Sequence, residues 1–283
     1  NFTGATLTGT ILTEATLVGV NFTNVDLSGR DFSNFDLTNT NLTNTDFTNA
    51  NLTNSNLTNV SMNIQSYLAQ LGGDINGEAS DDNSGWSVSL SSDGSIVAIG
   101  APYNDGNDDN DSKRGHVRVY QYLNNSWTQL GGDIDGEAAG DESGYSVSLS
   151  SDGTIVAIGA NTNDGNGNDS GHVRVYQYKI PTSEEWNNGN VIKGDDTTQE
   201  ANTYYWSQLG DDIDGEAEGD FSGYSVSLSS DGSIVAIGAR YNDGNGNDSG
   251  HVRVYQYSSG SWSQLGGDID GEANGDRSGF SVS

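Results

Sequence analysis

Apolar residues recur along this chain with two different periods. From Asn1 to about Val60 a large apolar residue returns every five positions: Phe2, Leu7, Leu12, Leu17, Phe22, Leu27, Phe32, Leu37, Leu42, Phe47, Leu52 and Leu57. The position three further on is mostly small (Ala5, Ala15, Val20, Val25, Thr40, Ala50, Ser55), and the rest are largely Asn, Asp, Thr, Ser and Gly. A period of five fits neither the 3.6 of an α-helix nor the 2 of a strand. It predicts a chain that turns a corner every five residues, with one large and one small side chain pointing inward. Arg30 and Phe35 stand at inward small positions and are expected to bulge the stack or shift its register.

Further along, short β-rich runs recur in a longer unit, with spacings of 56 to 79 residues. Fixed periods of this kind mean stacked copies of one supersecondary unit. The first predicted strand is Trp86–Leu90, Tyr145–Leu149 and Tyr224–Leu228. An Asp-Gly turn follows at Asp93, Asp152 and Asp231, a strong hairpin signal between β-rich runs. The second strand is Ile96–Gly100, Ile155–Gly159 and Ile234–Gly238; the third is His116–Tyr122, His172–Tyr178 and His251–Tyr257. A fourth, Trp127–Leu130, Trp206–Leu209 and Trp262–Leu265, leads into GGDIDGEA or a close variant. Four-stranded antiparallel units repeated radially are the blades of a β-propeller. Three units are complete and a fourth stops at its first strand, so the expectation is a truncated array that forms an open arc.

The first block, in units such as NLTNT, DFTNA and NLTNS, resembles the pentapeptide-repeat family. That resemblance implies a right-handed, four-sided β-helix with four repeats per coil. Twelve units then give three coils, about 15 Å long at ~4.8 Å per layer. The second block resembles the FG-GAP repeat of integrin α chains, through Ser-Gly-Tyr-Ser-Val at Tyr145 and Tyr224 and Gly-Ala at Gly100, Gly159 and Gly238. This implies an extracellular adhesion or recognition module. The fold expected is all-β: a β-helix over residues 1–62, a linker at 63–69, and propeller-type blades over 70–283 with an insertion at 179–205. One departure matters. The family's calcium loop, D-x-D-x-D-G between the first two strands, is here only Ser-Ser-Asp-Gly, too short to wrap an ion.

Charge narrows the partners. Ten Lys and Arg against forty Asp and Glu give a net charge of −30. Nucleic acids and anionic membranes need basic surface, so neither is an expected partner. No apolar run approaches the ~20 residues of a membrane helix. With no cysteine, disulfides and thiolate metal sites are excluded.

Candidate chemistry sits in the repeats. The loop NDGNGNDSG offers Asp164, Asn166, Asn168 and Asp169, and again Asp243, Asn245, Asn247 and Asp248; its first copy offers Asp105, Asn107, Asp109 and Asp111. Calcium takes six to eight oxygen ligands on a flexible loop, which these residues could supply; the alternative is an ordinary Asn/Asp/Gly turn. A second candidate is the recurrent acidic stretch: Asp133, Asp135, Glu137 and Asp141; Asp212, Asp214, Glu216 and Asp220; and Asp268, Asp270, Glu272 and Asp276. Its acids could hold a cation between blades or accept backbone N–H bonds in a turn. His116, His172 and His251 fall one per blade, a packing position rather than a zinc site or triad, and Arg118, Arg174 and Arg253 should pair with the recurrent acids. The inner strands carry Ser, Val and Leu and no unique acid pair, so no enzyme is expected. The expectation is a non-enzymatic protein of the extracellular space or a cell or virion surface. It would bind a protein or glycan ligand multivalently, with calcium as stabilising ion. The alternative is a purely structural fibre or surface-layer segment. The insertion, Lys179–Tyr205, is the one non-repetitive place for a partner.

Overall fold

The computed structural model describes residues 1–7, 12, 15–62, 70–106, 112–179, 191–192 (backbone only) and 204–283. Asn107, Asp109, Asp111, the linker and most of the insertion therefore lie outside the described residues. The described chain is all-β and divides into two compact units, Asn1–Gln70 and Leu71–Ser283.

In the first unit each position of the five-residue repeat has a separate task. The leading Asn or Asp folds its side chain over the corner: Asn21 Oδ1 accepts from the backbone N–H and the hydroxyl of Thr23 at 2.9 and 2.6 Å, and Asn41 and Asn51 do the same. The second residue points inward, and Phe22, Leu27, Phe32, Leu37 and Leu42 are almost wholly buried in one core. The fourth adopts left-handed backbone, at φ 55–64° for Asn24, Asn34, Asn39, Asn44, Asn49, Asn54 and Asn59. Asn and Gly tolerate that region and most other residues do not. The fifth closes the corner with a bond back to the second, as in Val25 N–H to the Phe22 carbonyl at 3.1 Å. Parallel bridges then join residues twenty apart: Asn21 with Asn41, Asp26 with Asp46, Asp31 with Asn51, Asp36 with Asn56. Twenty residues are four repeats, so the chain stacks on itself once every four corners.

Arg30 and Phe35 do not disturb this stack, contrary to the expectation from their size. The Asp26, Asp31 and Asp36 bridges keep the same twenty-residue offset through them. Phe35 stays half-buried with its ring edge-on to Phe32 at 5.9 Å, and the Arg30 guanidinium donates to the Leu7 carbonyl. The misfit is accommodated by side-chain placement, which costs less than breaking the backbone ladder.

The second unit is three antiparallel sheets of one design. The first is β1 (Ser87–Leu90), β2 (Ile96–Ala101), β3 (His116–Leu123), β4 (Ser126–Gln129) and β5 (Ile134–Asp135). The second is β6 (Ser146–Leu149), β7 (Ile155–Ala160), β8 (His172–Lys179), β9 (Val191–Ile192), β10 (Tyr205–Gln208) and β11 (Ile213–Asp214). The third is β12 (Ser225–Leu228), β13 (Ile234–Ala239), β14 (His251–Ser258), β15 (Ser261–Gln264) and β16 (Ile269–Asp270). Each follows a meander of four strands, as in a propeller-like blade. The acidic stretch, expected as a connector alone, contains a further strand: β5, β11 and β16 pair back onto the start of the third strand, placing His116 opposite Asp135, His172 opposite Asp214 and His251 opposite Asp270. The insertion adds β9 to the edge of the second sheet, beside β10.

The cores lie between sheets. Ile96, Ala98, Val117, Val119 and Ile134 of the first sheet meet Leu149, Val156, Ile158, Tyr176 and Trp206 of the second. Ile155, Ala157, Val173, Val175 and Ile213 of the second meet Val226, Val235 and Ile237 of the third. Strand β7 alternates its apolar residues between the two cores and is buried along its whole length, which is why its sequence is an unbroken apolar run.

Three kinds of polar bond draw successive units together. The Ser87, Ser146 and Ser225 hydroxyls donate to the Gly144, Gly223 and Gly279 carbonyls at 2.7–2.8 Å. The Leu149 and Leu228 backbone N–H groups donate to the Ser89 and Ser148 hydroxyls of the preceding inner strand. The Trp127, Trp206 and Trp262 indole N–H groups donate to the Leu71, Leu130 and Leu209 carbonyls at 2.6–2.8 Å. These bonds require a close approach that only glycine permits: a Cβ on Gly159 would lie 2.1 Å from the Gly223 carbonyl oxygen. Gly159→Ala is therefore expected to destabilise the second unit by at least about 2 kcal/mol. Gly267→Ala, where an added Cβ meets nothing within 4 Å, should stay within about 0.5 kcal/mol of the parent. Urea unfolding of the two variants tests the difference.

Candidate functional site

The second and third predicted cation loops fold as hydrogen-bonded turns; of the first loop's predicted ligands, only Asp105 is among the described residues. Asp164 Oδ1 accepts the Asp169 backbone N–H at 2.9 Å, and Asp243 Oδ1 accepts that of Asp248 at 2.8 Å. The Asn166 side chain donates to the Gly215 and Glu216 carbonyls, and Asn245 to those of Gly271 and Glu272, so the second residue of each loop staples it to the next acidic stretch. Asp169 and Asp248 take the left-handed backbone at φ 53° and 51°. Asn168 donates to the Asp169 carboxylate at 2.7 Å, and the Asn247 carbonyl accepts the Gly275 N–H. Asp105 Oδ1, in the first loop, accepts the Lys113 N–H at 3.0 Å.

The acidic stretch splits into two roles. Asp82, Asp141 and Asp220 are buried and accept backbone N–H bonds from the turn before them, as Asp141 does from Glu137 and Ala138 at 3.1 and 2.8 Å. Other acids of the stretch meet the histidines. Among the described residues, three groups have donor geometry able to hold a metal ion: Glu78, His116 and Asp133; Glu137, His172 and Asp212; Glu216, His251 and Asp268. Each group takes its Glu from the stretch before a sheet, its His from the first residue of that sheet's third strand, and its Asp from the turn after the fourth strand. Sequence reasoning separated the histidines from the acids because members such as Glu78, His116 and Asp133 are 38 and 17 positions apart. The short strand pairing the acidic stretch to the third strand closes that gap, and the recurrence of all three residue types at equivalent positions of each repeat was the available signal.

The electrostatics of the seam follow from burial. The imidazoles are about 1% exposed, and desolvation holds the pKa of all three below the ordinary value, that of His172 at about 4. Burial likewise raises Glu78, Glu137 and Asp214, and pushes Asp135 up to about 6 with help from the Asp133 charge. Arg118, Arg174 and Arg253 pair with Glu78, Glu137 and Glu216 at 3.4–3.7 Å, the pairing expected from the sequence. Each guanidinium also donates to a carbonyl of the acidic stretch before it (Asn76, Asp135, Asp214) and lies over its own Tyr ring.

A second recurrent feature is aromatic. Trp86, Tyr145, Tyr224 and Phe280, one from each Ser-Gly-aromatic-Ser-Val motif, form a column with successive ring centroids 5.5, 5.0 and 5.3 Å apart. The Arg240 guanidinium covers Tyr224 at 3.8 Å from its centroid. Trp86 and Phe280 are more than half exposed, so the column reaches solvent.

The short Asp-Gly turn between the first two strands turns one carboxylate oxygen back onto its own donors. Asp93 Oδ1 accepts from the Ser95 N–H and from the Ser95 and Ser91 hydroxyls, and Asp231 is held alike by Ser233 and Ser229. The backbone bond is the largest cause that holds both carboxylates at about 2. A depressed carboxylate favours folding above its unfolded pKa of 3.8 and loses that contribution as pH falls through about 2. An NMR titration of the Asp93 and Asp231 carboxyl carbons should find midpoints near 2, and Ser95→Ala should raise that of Asp93 while leaving Asp231 unchanged.

Comparison with known proteins fits this repeat architecture. The model for pentapeptide repeats matches residues 1–39 and 31–63, in eight copies, and that for the FG-GAP repeat matches residues 76–120, 134–176 and 213–255. No curated protein matches the chain. Among solved structures, a protein assigned as a 6-phosphogluconolactonase from Bacteroides uniformis is 13% identical with a TM-score of 0.42, over 69% of this chain and 42% of that one. Sqt1 from Saccharomyces cerevisiae is 14% identical with a TM-score of 0.36, over 68% and 37%. Hydrazine synthase from Kuenenia stuttgartiensis is 12% identical with a TM-score of 0.37, over 71% and 42%. The chain thus spans about two fifths of the length of these structures, and the likenesses are too remote to bear on activity. The chain is built from pentapeptide repeats followed by FG-GAP repeats.

Proposed function

We propose that this chain is a non-enzymatic recognition scaffold of the extracellular space or of a cell or virion surface, binding a protein or glycan by multivalent contact. The observation that carries this reading is repetition at the surface. Each unit contributes one ring to the column of Trp86, Tyr145, Tyr224 and Phe280, so several equivalent groups are presented side by side. Aromatic faces stack on the apolar faces of sugars and peptides, and linked weak contacts multiply into avidity. The FG-GAP matches support the same reading, as do three successive propeller-like sheets of one design. The twenty-residue coils of the first unit, read as a right-handed β-helix, serve as a spacer or cap.

Calcium enters this proposal through the loops at Asp164, Asn166, Asn168 and Asp169 and at Asp243, Asn245, Asn247 and Asp248, where an ion would rigidify the display. A purely structural fibre or surface-layer role is the second reading. It is favoured by how many indole, hydroxyl and guanidinium donors are spent on holding sheet to sheet.

Glycan and cell-binding arrays separate the two readings. The chain clustered on a bead should bind at least about 100-fold more tightly than the free chain, and Trp86→Ala with Tyr145→Ala should remove most of that gain. Retention on no glycan or cell surface would leave the structural reading. Thermal unfolding in millimolar calcium and in excess chelator addresses the loops. Native-state binding raises the melting temperature with the logarithm of ligand excess, and Asp164→Ala with Asp243→Ala should abolish the rise.

A further inference from the structure

We propose that each of the three histidine–carboxylate groups between successive units binds one divalent cation of the zinc type, clamping neighbouring repeats together. This goes beyond the recognition reading and does not depend on it.

The geometry is the first support. In each group the imidazole Nδ1 faces a Glu Oε2 from the preceding acidic stretch, at 3.6 Å for His116 and Glu78, 3.9 Å for His172 and Glu137, and 3.8 Å for His251 and Glu216. The Asp Oδ2 approaches the same nitrogen, at 3.9 Å for Asp212 and 4.0 Å for Asp268. Such separations are too long for hydrogen bonds, which end near 3.2 Å. They are close to the edge of a coordination sphere. A zinc ion bound at ~2.0–2.2 Å by nitrogen and carboxylate oxygen sets its ligands roughly 3.3–3.5 Å apart.

The arrangement around the donors is the second support. In the second and third groups each carboxylate has one oxygen held elsewhere and turns the other to the imidazole; in the first, Glu78 Oε2 also accepts from the Asn104 amide at 3.5 Å. The Arg118, Arg174 and Arg253 guanidinium groups hold Glu Oε1 at 3.4–3.7 Å. The Gln129, Gln208 and Gln264 amides donate to Oδ1 of Asp133, Asp212 and Asp268 at 2.6 Å. Outer partners of this kind orient metal ligands. The histidine backbones are fixed by the ladder to β5, β11 and β16.

The third support is independent of the acids. His251 is 1% exposed, and neither its Nδ1 nor its Nε2 has a hydrogen-bond partner. A buried imidazole nitrogen aimed between two carboxylate oxygens without bonding either is a donor suited to a cation. Two carboxylates against one guanidinium leave each group with a net charge of −1, which a dication offsets.

The donor set also selects the ion. One imidazole nitrogen with two carboxylate oxygens suits zinc or a neighbouring transition cation, whereas calcium prefers six to eight oxygens. The carboxylate side chains are 29–47% exposed, so an ion can enter from solvent and water can complete its shell.

The test is isothermal titration of the chelator-treated full chain with zinc chloride, and separately with calcium chloride. The expected result is three zinc ions per chain, bound at least ten times more tightly than calcium at the same groups, one for each group. His116→Gln, His172→Gln and His251→Gln should each lower the zinc stoichiometry by one. The triple variant Asp133→Asn, Asp212→Asn, Asp268→Asn keeps every buried imidazole and should lose the tight sites while retaining the parent far-UV circular dichroism. Cobalt bound in place of zinc should show d–d absorption that falls by about a third in His251→Gln. Zinc binding whose stoichiometry these variants leave unchanged would place the ions on the general acidic surface and overturn the proposal. So would zinc binding no tighter than calcium.

Discussion

The second unit depends on one steric constraint: the backbone of each repeat lies against the backbone of the next with no room for a side chain between. The Gly-Ala step at the end of the second strand meets the carbonyl of the glycine that opens the following unit, with less than the width of a methyl group between them. That approach brings the inner-strand serines within reach of the next glycine carbonyl and the indole N–H within reach of the previous leucine carbonyl. It also sets the two apolar faces of the second sheet into separate cores. Removing the glycine would take away the hydrogen bonds and the packing together, because both are consequences of the same distance.

The first unit reaches order by a different route. Its repeat is too short to form a sheet of its own, so each five-residue corner is closed locally and its neighbours are found twenty residues away. The polar side chains are spent on the corner itself, which is why Asn, Asp, Thr and Ser can fill most of the sequence without disorder. Size at the small position is tolerated where the side chain can leave the axis, as Phe35 and Arg30 show.

Carboxylates have two fates in this chain, and the difference is what faces them. Asp93 and Asp231 are wrapped by N–H and hydroxyl donors of their own turn and are held at about 2. Asp135, partly buried beside the Asp133 charge, is pushed up to about 6. The first kind is structural and self-contained. The second kind accumulates at the seams, where an acid from one repeat meets the histidine of the next, and it is there that negative charge is available to a ligand.

The sequence alone determined the repeat lengths, the strand positions and the hairpin turns, because each rests on local chemistry. An Asp-Gly turn or a β-branched run acts through its immediate neighbours, so Asp93 and Ile96 announce themselves. It also showed that Arg118, Arg174 and Arg253 would find the recurrent acids. It did not show that GGDIDGEA returns as a strand to the histidine, nor that Phe35 would be absorbed. The seam groups were hidden for the same reason: Glu78, His116 and Asp133 lie on three separate stretches of chain and meet only when the ladder and the glycine contact bring one unit against the next. Tertiary structure decided which acids remain turn-bound and which face a buried imidazole, since that choice is made by distances between residues far apart in sequence.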